Sequence, residues 1–188
     1  MTTRAEKAAA TGDRILDAAV SLFWEQPTDQ LSLEAVARRA GVTVQTVIRR
    51  FGGKDGLIVA GIERESRRVA GTRDPAAVRD LPDAVRQLVD HYEEMGDRVI
   101  RLLAEETRLP ALRRVTDVGR RMHRAWCEQV FSDALARLRG VERARRVAAL
   151  VAVCDVYTWK LLRRDAGLSR RQSELALVEL LSPLVEGS

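Results

Sequence analysis

Apolar residues along the chain recur at intervals of three and four, and no stretch alternates with a period of two. The pattern predicts an all-α protein, cut by glycine and proline into about nine helices. The first is expected over residues 13–24, where Ile15, Ala19, Leu22 and Phe23 share one stripe and Pro27 ends the run. Residues 1–10 are polar and alanine-rich and read as a frayed arm.

Two short helices follow, joined at Gly41. Ser32 has the chemistry of an N-cap, and Leu33, Val36, Ala37 and Ala40 repeat on one face behind it. Leu31 before the cap and Val36 inside it form a hydrophobic staple. Gly41 is free to take the left-handed turn that ends a helix. Thr43 then caps a second helix, in which Val47 and Phe51 lie one turn apart and pack back on the first. This is the pattern of a helix-turn-helix. Gly52 and Gly53 close it, and Lys54 opens a fourth helix running towards Val69, with a break expected at Gly71, Asp74 and Pro75.

The remaining chain reads as five helices. One opens at Asp80 and Pro82 with Val85, Leu88, Val89 and Tyr92 on a face, and Gly96 with Asp97 separates it from the next. A seventh follows Pro110, carries Val115, Gly119, Met122, Trp126 and Val130, and ends at Gly140. An eighth is expected over residues 142–164 and closed by Gly167. Ser169 and Gln172 make a capping box for the ninth. Helices eight and nine are apolar around more than one side, which implies burial on several sides. A second copy of the chain supplies that cover most simply, as a four-helix bundle about a two-fold axis. Val147, Val151, Leu161, Leu177, Leu181 and Leu184 are the expected dimer contacts.

Charge sharpens the reading of the third helix. Its outward side carries Gln45, Ile48 and Arg49, flanked by Thr46 and Arg50. Residues 38–54 hold five basic residues and no acidic one. An amide and guanidinium groups on a positive surface suit the DNA major groove, where Gln pairs with adenine, Arg with guanine, and Lys and Arg neutralise phosphates. Gln45 and Arg49 are the candidates for base contacts, and Thr43, Thr46, Arg50 and Lys54 for phosphates. Ser32, Val44 and Ile48 complete the candidate DNA-contacting set.

On these residues the chain resembles the TetR family of bacterial transcriptional regulators. The resemblance lies in RILDAAVSLF (residues 14–23) and LSLEAVARRAGVTVQTVIRRFGGKDGLI (residues 31–58). The family's features fall here on Val36 and Ala37, on Ala40, Gly41 and Val42, on Phe51 and on Lys54. Two positions depart from the family pattern: Ile48 stands where a phosphate-touching Tyr is usual, and Gln45 where Gly is frequent. The resemblance implies a DNA-binding domain over residues 1–60 and a helical ligand-binding and dimerisation domain over residues 61–188, joined through helix 4. It further implies a homodimer through helices 8 and 9 that binds a palindromic operator and is released by a small-molecule effector.

The bulk properties leave room for this and exclude other classes. A chain of 188 residues with net charge +5 and pI near 9.8 permits nucleic-acid binding without requiring it. No apolar leader opens the chain, and the longest apolar run is interrupted by Asp155 and Lys160, so a cytoplasmic protein without a membrane span is expected. Cys127 and Cys154 read as small core residues. His123 and Cys127, one turn apart, are too few for a metal site, and no phosphate loop or acid–base pair is present, so neither cofactor nor catalysis is expected. Asp155, inside an apolar run, needs either an arginine partner or a ligand. Tyr92, Met95, His123, Trp126 and Trp159 join it as candidate pocket residues. Two other readings are an all-α module whose helix-turn-helix binds protein and a helical enzyme using Asp155 and His123. The acid-free basic run counts against the former, and the lack of a catalytic set against the latter.

Overall fold

The computed structural model describes residues 3–26, 28–69 and 73–186, and of Arg4, Arg68 and Val69 only the backbone. Met1, Thr2, Pro27 and Gly71, on which parts of the sequence reading fall, lie outside the described residues. Helices make up the regular structure, with no strand among the described residues. The chain divides into two compact units, one of residues 1–69 and 104–116 and the other of residues 70–103 and 117–188. It therefore passes between them after Val69, within one helix and again within the next. The sequence pattern by itself places a single boundary near residue 60.

In the first unit α1 (Arg4–Glu25), α2 (Leu33–Ala40), α3 (Val44–Phe51) and α4 (Lys54–Val69) follow one another. The frayed arm is corrected: α1 begins at Arg4, because Thr3 and Glu6 form a capping box that supplies the missing hydrogen bonds. Ile15, Ala19, Leu22 and Phe23 are buried as their spacing requires. α1 packs against α2 and α4, and α3 packs against both α2 and α4. The guanidinium of Arg14 reaches across, its Nε donating to the Ala40 carbonyl at 3.3 Å.

In the second unit α5 (Leu81–Glu105) is one continuous helix that ends in the first unit, rather than two broken at Gly96. Gly96 is there for space. A Cβ at this position would lie 2.4–2.8 Å from three ring carbons of Trp159. α6 (Arg113–Val130) starts in the first unit and is shorter than expected, giving way at Phe131 to the single turn α7 (Ser132–Leu135). Gly140 does not end that helix but is the first residue of α8 (Gly140–Val153).

The expected helix over residues 142–164 is also broken. Cys154 leaves the helical path and Asp155 is extended, with φ −74° and ψ 153°. Asp155 caps α9 (Val156–Lys160), its Oδ1 accepting from the Tyr157 backbone N–H at 2.9 Å. A π-turn, Leu161–Asp165, continues from it. The break resets the helical phase, so Trp159 turns fully into the core while Leu161 is 59% exposed. α10 (Arg170–Glu186) starts with the expected capping box between Ser169 and Gln172. The core of this unit gathers Val85, Leu88, Val89, Tyr92, Trp126, Cys127, Val147, Leu150, Cys154, Trp159, Leu177 and Leu181. Arg163 forks onto Glu93 at 2.6 and 3.0 Å, and the Trp159 indole donates to the same carboxylate at 3.2 Å.

Gly96→Ala tests the packing role. Helix propensity alone would stabilise the alanine protein by about 1 kcal/mol. The clash with Trp159 is worth about 1–3 kcal/mol in the opposite direction. A lower Tm by several degrees is expected in thermal unfolding followed by circular dichroism.

Candidate nucleic-acid interface

α3 is eight residues long, too short to be stable as a free helix, and is set in place at both ends. At its start, Thr43 Oγ1 accepts from the Thr46 backbone N–H at 3.2 Å and lies 2.9 Å from Thr46 Oγ1. Such a cap contributes about 1 kcal/mol. The preceding turn passes through Gly41 at φ +66°, which lets α2 end and the chain reverse within three residues. At its far end Gly52, at φ +77°, donates its N–H to the Ile48 carbonyl at 2.8 Å. Between these ends Val47 is fully buried and Phe51 half-buried.

That anchoring decides what faces out. Gln45, Arg49 and Arg50 are exposed, and Ile48 is 38% exposed. Val44, Thr46 and Lys54 are half-buried and Thr43 is exposed. Ser32 caps α2, its Oγ accepting from the Ala35 N–H at 3.1 Å. The structure thus brings Thr43, Gln45, Thr46, Ile48, Arg49 and Arg50 together on one short helix and its cap, with Ser32 and Lys54 serving the neighbouring helix starts.

The five basic residues of this stretch are not equivalent. Arg39 pairs with Glu25 at 2.7 Å. That hydrogen bond lowers the Glu25 carboxyl below its usual range and raises the Arg39 guanidinium. Lys54 Nζ donates to the Asp29 carbonyl at 3.4 Å, which leaves its remaining donors for other partners. Arg50 is directed by a residue the sequence reading passed over. Gly12 of α1 is buried, and a Cβ on it would stand 2.4–2.7 Å from Nη2, Cζ and Nε of Arg50. The bare Cα of Gly12 is therefore the seat on which the guanidinium rests. A lone glycine inside a helical pattern was the available signal.

The family model for "Bacterial regulatory proteins, tetR family" matches residues 15–60. The HTH-type transcriptional regulator BetI of Burkholderia mallei is 32% identical over 151 residues, covering 73% of this chain and 76% of that one. This chain belongs to the TetR family. It is a transcriptional regulator with a helix-turn-helix DNA-binding domain. A transcriptional regulator from a Rhodococcus species shares its fold at TM-score 0.65 and 22% identity, covering 94% of this chain and 96% of that one. NalD of Pseudomonas aeruginosa, the secondary repressor of a multidrug efflux pump, matches at TM-score 0.52 and 25% identity over 96% and 97% of the two chains. The relatives are regulators rather than enzymes, and no helix among the described residues of this TetR-family chain is long and apolar enough to cross a membrane.

The second unit of this TetR-family chain holds the residues expected to line a pocket. Tyr92, His123 and Trp126 meet around Arg73, and Trp159 lies 6.0 Å from the Tyr92 ring. Met95 is buried in the helix that carries Tyr92. Asp155, expected to need an arginine or a ligand, is occupied as a helix cap instead. A separate half-open cleft of about 330 Å³ is lined by Val78, Leu81, Ala84, Val130, Phe131 and Val185 among others, and by none of the expected pocket residues.

Replacing Gly12 with alanine separates stability from DNA binding in this TetR-family regulator. Alanine in mid-helix is expected to leave Tm unchanged or raise it. Arg50 is displaced, so operator affinity falls by about 1 kcal/mol, roughly fivefold. A gel-shift titration should show Gly12→Ala no weaker when combined with Arg50→Ala than Arg50→Ala alone.

Proposed function

We propose that the protein is a homodimeric repressor that acts in the cytoplasm and is released from a palindromic operator by a small molecule. Each subunit lays α3 in the major groove of one half-site, the half-sites being about one helical turn or a small multiple apart. Gln45 and Arg49 read bases, while Thr43, Thr46, Arg50 and Lys54 hold phosphates. The single observation that carries this reading is the outward display of Gln45, Ile48 and Arg49 on a helix whose Val47 is fully buried, within a stretch free of acidic residues. Ile48 gives the groove a methyl-bearing surface where a hydroxyl is usual in the family, which favours contact with a thymine methyl.

The division of labour is that of residues 1–60 for DNA and 61–188 for ligand binding and dimerisation. Dimerisation draws on the last helices, but through other residues than the spacing suggested. Val147, Leu177 and Leu181 are fully buried in the core of the protomer, which leaves them no surface for a partner. Val151 and Leu184 are half-buried. Leu161, with Tyr157, Leu175 and Leu180, is apolar, large and exposed. These side chains are the ones we assign to the partner subunit's contact. NalD is a repressor, which supports the sign of regulation proposed here. A ligand acts by binding better to one arrangement of the dimer than to the other.

Two experiments test the reading. Footprinting on the DNA upstream of the gene, across a salt series, should show a palindromic site with affinity falling steeply as salt rises. Gln45→Ala combined with Arg49→Ala should reduce binding to the level of random DNA. Equal affinity of the native protein for upstream and random DNA would refute operator recognition. Separately, Leu161→Glu with Leu175→Glu should give a folded monomer by light scattering, and operator affinity should fall with it. A dimer that survives both substitutions removes Leu161 and Leu175 from the interface.

A further inference from the structure

Arg73 lies just before the 3₁₀ turn Pro75–Ala77, half-buried, with its guanidinium among side chains of α5 and α6. Its Cζ is 5.3 Å from the centre of the Trp126 ring and 6.0 Å from that of Tyr92. Nη1 donates to His123 Nδ1 at 3.2 Å. That bond places the imidazole proton on Nε2, which donates to the Val151 carbonyl at 3.2 Å. His91 is tilted against Tyr92 at 5.3 Å, completing a wall of rings.

What this guanidinium lacks is a carboxylate. Among the described residues its hydrogen-bond and ring partners are the two aromatic rings and the one imidazole nitrogen, and its charge also acts on the Cys127 and Cys154 thiols. Three arginines on the helix surfaces of the same unit do have carboxylates. Arg163 forks onto Glu93, Arg164 onto Asp97 at 3.1 and 3.0 Å, and Arg170 bonds Glu174 at 2.9 Å. The cleft of about 330 Å³ offers no comparable demand, since its Arg79 is bound to Asp83 at 2.5 Å and its Asp80 accepts from the Asp83 N–H at 2.8 Å. The positive field at Arg73 acts on its surroundings: burial, and after it the Arg73 charge, push His91 down to about 3, so that this imidazole stays neutral. A guanidinium has five donors in a planar fork that matches a carboxylate. With one donor on His123 and aromatic walls around it, the group has donors left over that fit an anion.

We propose that the effector is a small organic anion, a carboxylate on an apolar body, held by Arg73 with Tyr92, His123 and Trp126 around it. The inference rests on the reading of the second unit as effector-binding. It assigns that effector a charge and names the residue that recognises it.

The test uses the full-length protein and a matched set of probes: benzoate and hexanoate, their neutral amides, and benzylamine, all at 10 mM and equal ionic strength. Benzoate or hexanoate should raise Tm by at least 2 °C in the native protein, with quenching of tryptophan fluorescence, while the amides and benzylamine do not. Arg73→Gln should abolish the shift, and Arg73→Lys should reduce it without abolishing it. Without ligand, Arg73→Gln should melt at or above the native temperature, because a half-buried charge without a carboxylate has been removed. Carboxylates no better than their amides, an equal response in Arg73→Gln, or a ligand-free Arg73→Gln that melts several degrees lower would each overturn the assignment, the last by making Arg73 a structural tie. Operator release is scored separately by gel shift. A carboxylate that binds through Arg73 and leaves the operator complex intact upholds the anion site and refutes ligand-released repression.

Discussion

Everything displayed on the outside of α3 depends on how its inside is held. Eight residues cannot keep a helix by themselves, so the helix is imposed by a threonine cap, a left-handed glycine at each flank and one fully buried valine. Those constraints act on the backbone and leave the outward side chains free to be chosen for DNA. Stability and recognition thus occupy opposite sides of the same two turns. Gly12 extends the principle to a neighbouring helix: by having no side chain it lets α1 support a cation that α3 carries.

The first unit was largely legible in the sequence because its signals are local. Ser32, Gly41, Thr43 and Gly52 each act within four residues, and each does in the structure what its chemistry suggests. The second unit was legible as helical but not in its joints. Gly96 has the look of a break, yet it is needed for Trp159, which is 63 positions further along the chain and contributes nothing to the local pattern. Asp155 has the look of a misplaced charge in a long helix, and in fact marks where that helix stops. Of the residues expected to line a pocket, Tyr92, His123 and Trp126 meet around Arg73. Arg73, at their centre, gave no signal because its partners lie on two later helices. Of the expected partner contacts, Val147, Leu177 and Leu181 had been read from apolarity alone, which does not distinguish a protomer's core from its interface.

The two units handle charge in different ways. In the first, acids are absent only from residues 38–54, while Arg39 is matched by Glu25 and Arg64 by Asp17. In the second, Arg163, Arg164 and Arg170 bind carboxylates of α5, tying it to the π-turn and to α10. Arg73 sits instead among rings and an imidazole nitrogen.

The interruption at Asp155 has a consequence for how this region tolerates change. Upstream of it, every third or fourth side chain is committed to the subunit's own interior. Downstream, the rotation about the axis has slipped, and the same periodicity delivers Leu161 to the outside. Substitutions before the slip should register as misfolding and those after it as changes to an exposed apolar surface, so adjacent stretches of what looks like one amphipathic rod are free to drift under separate selection.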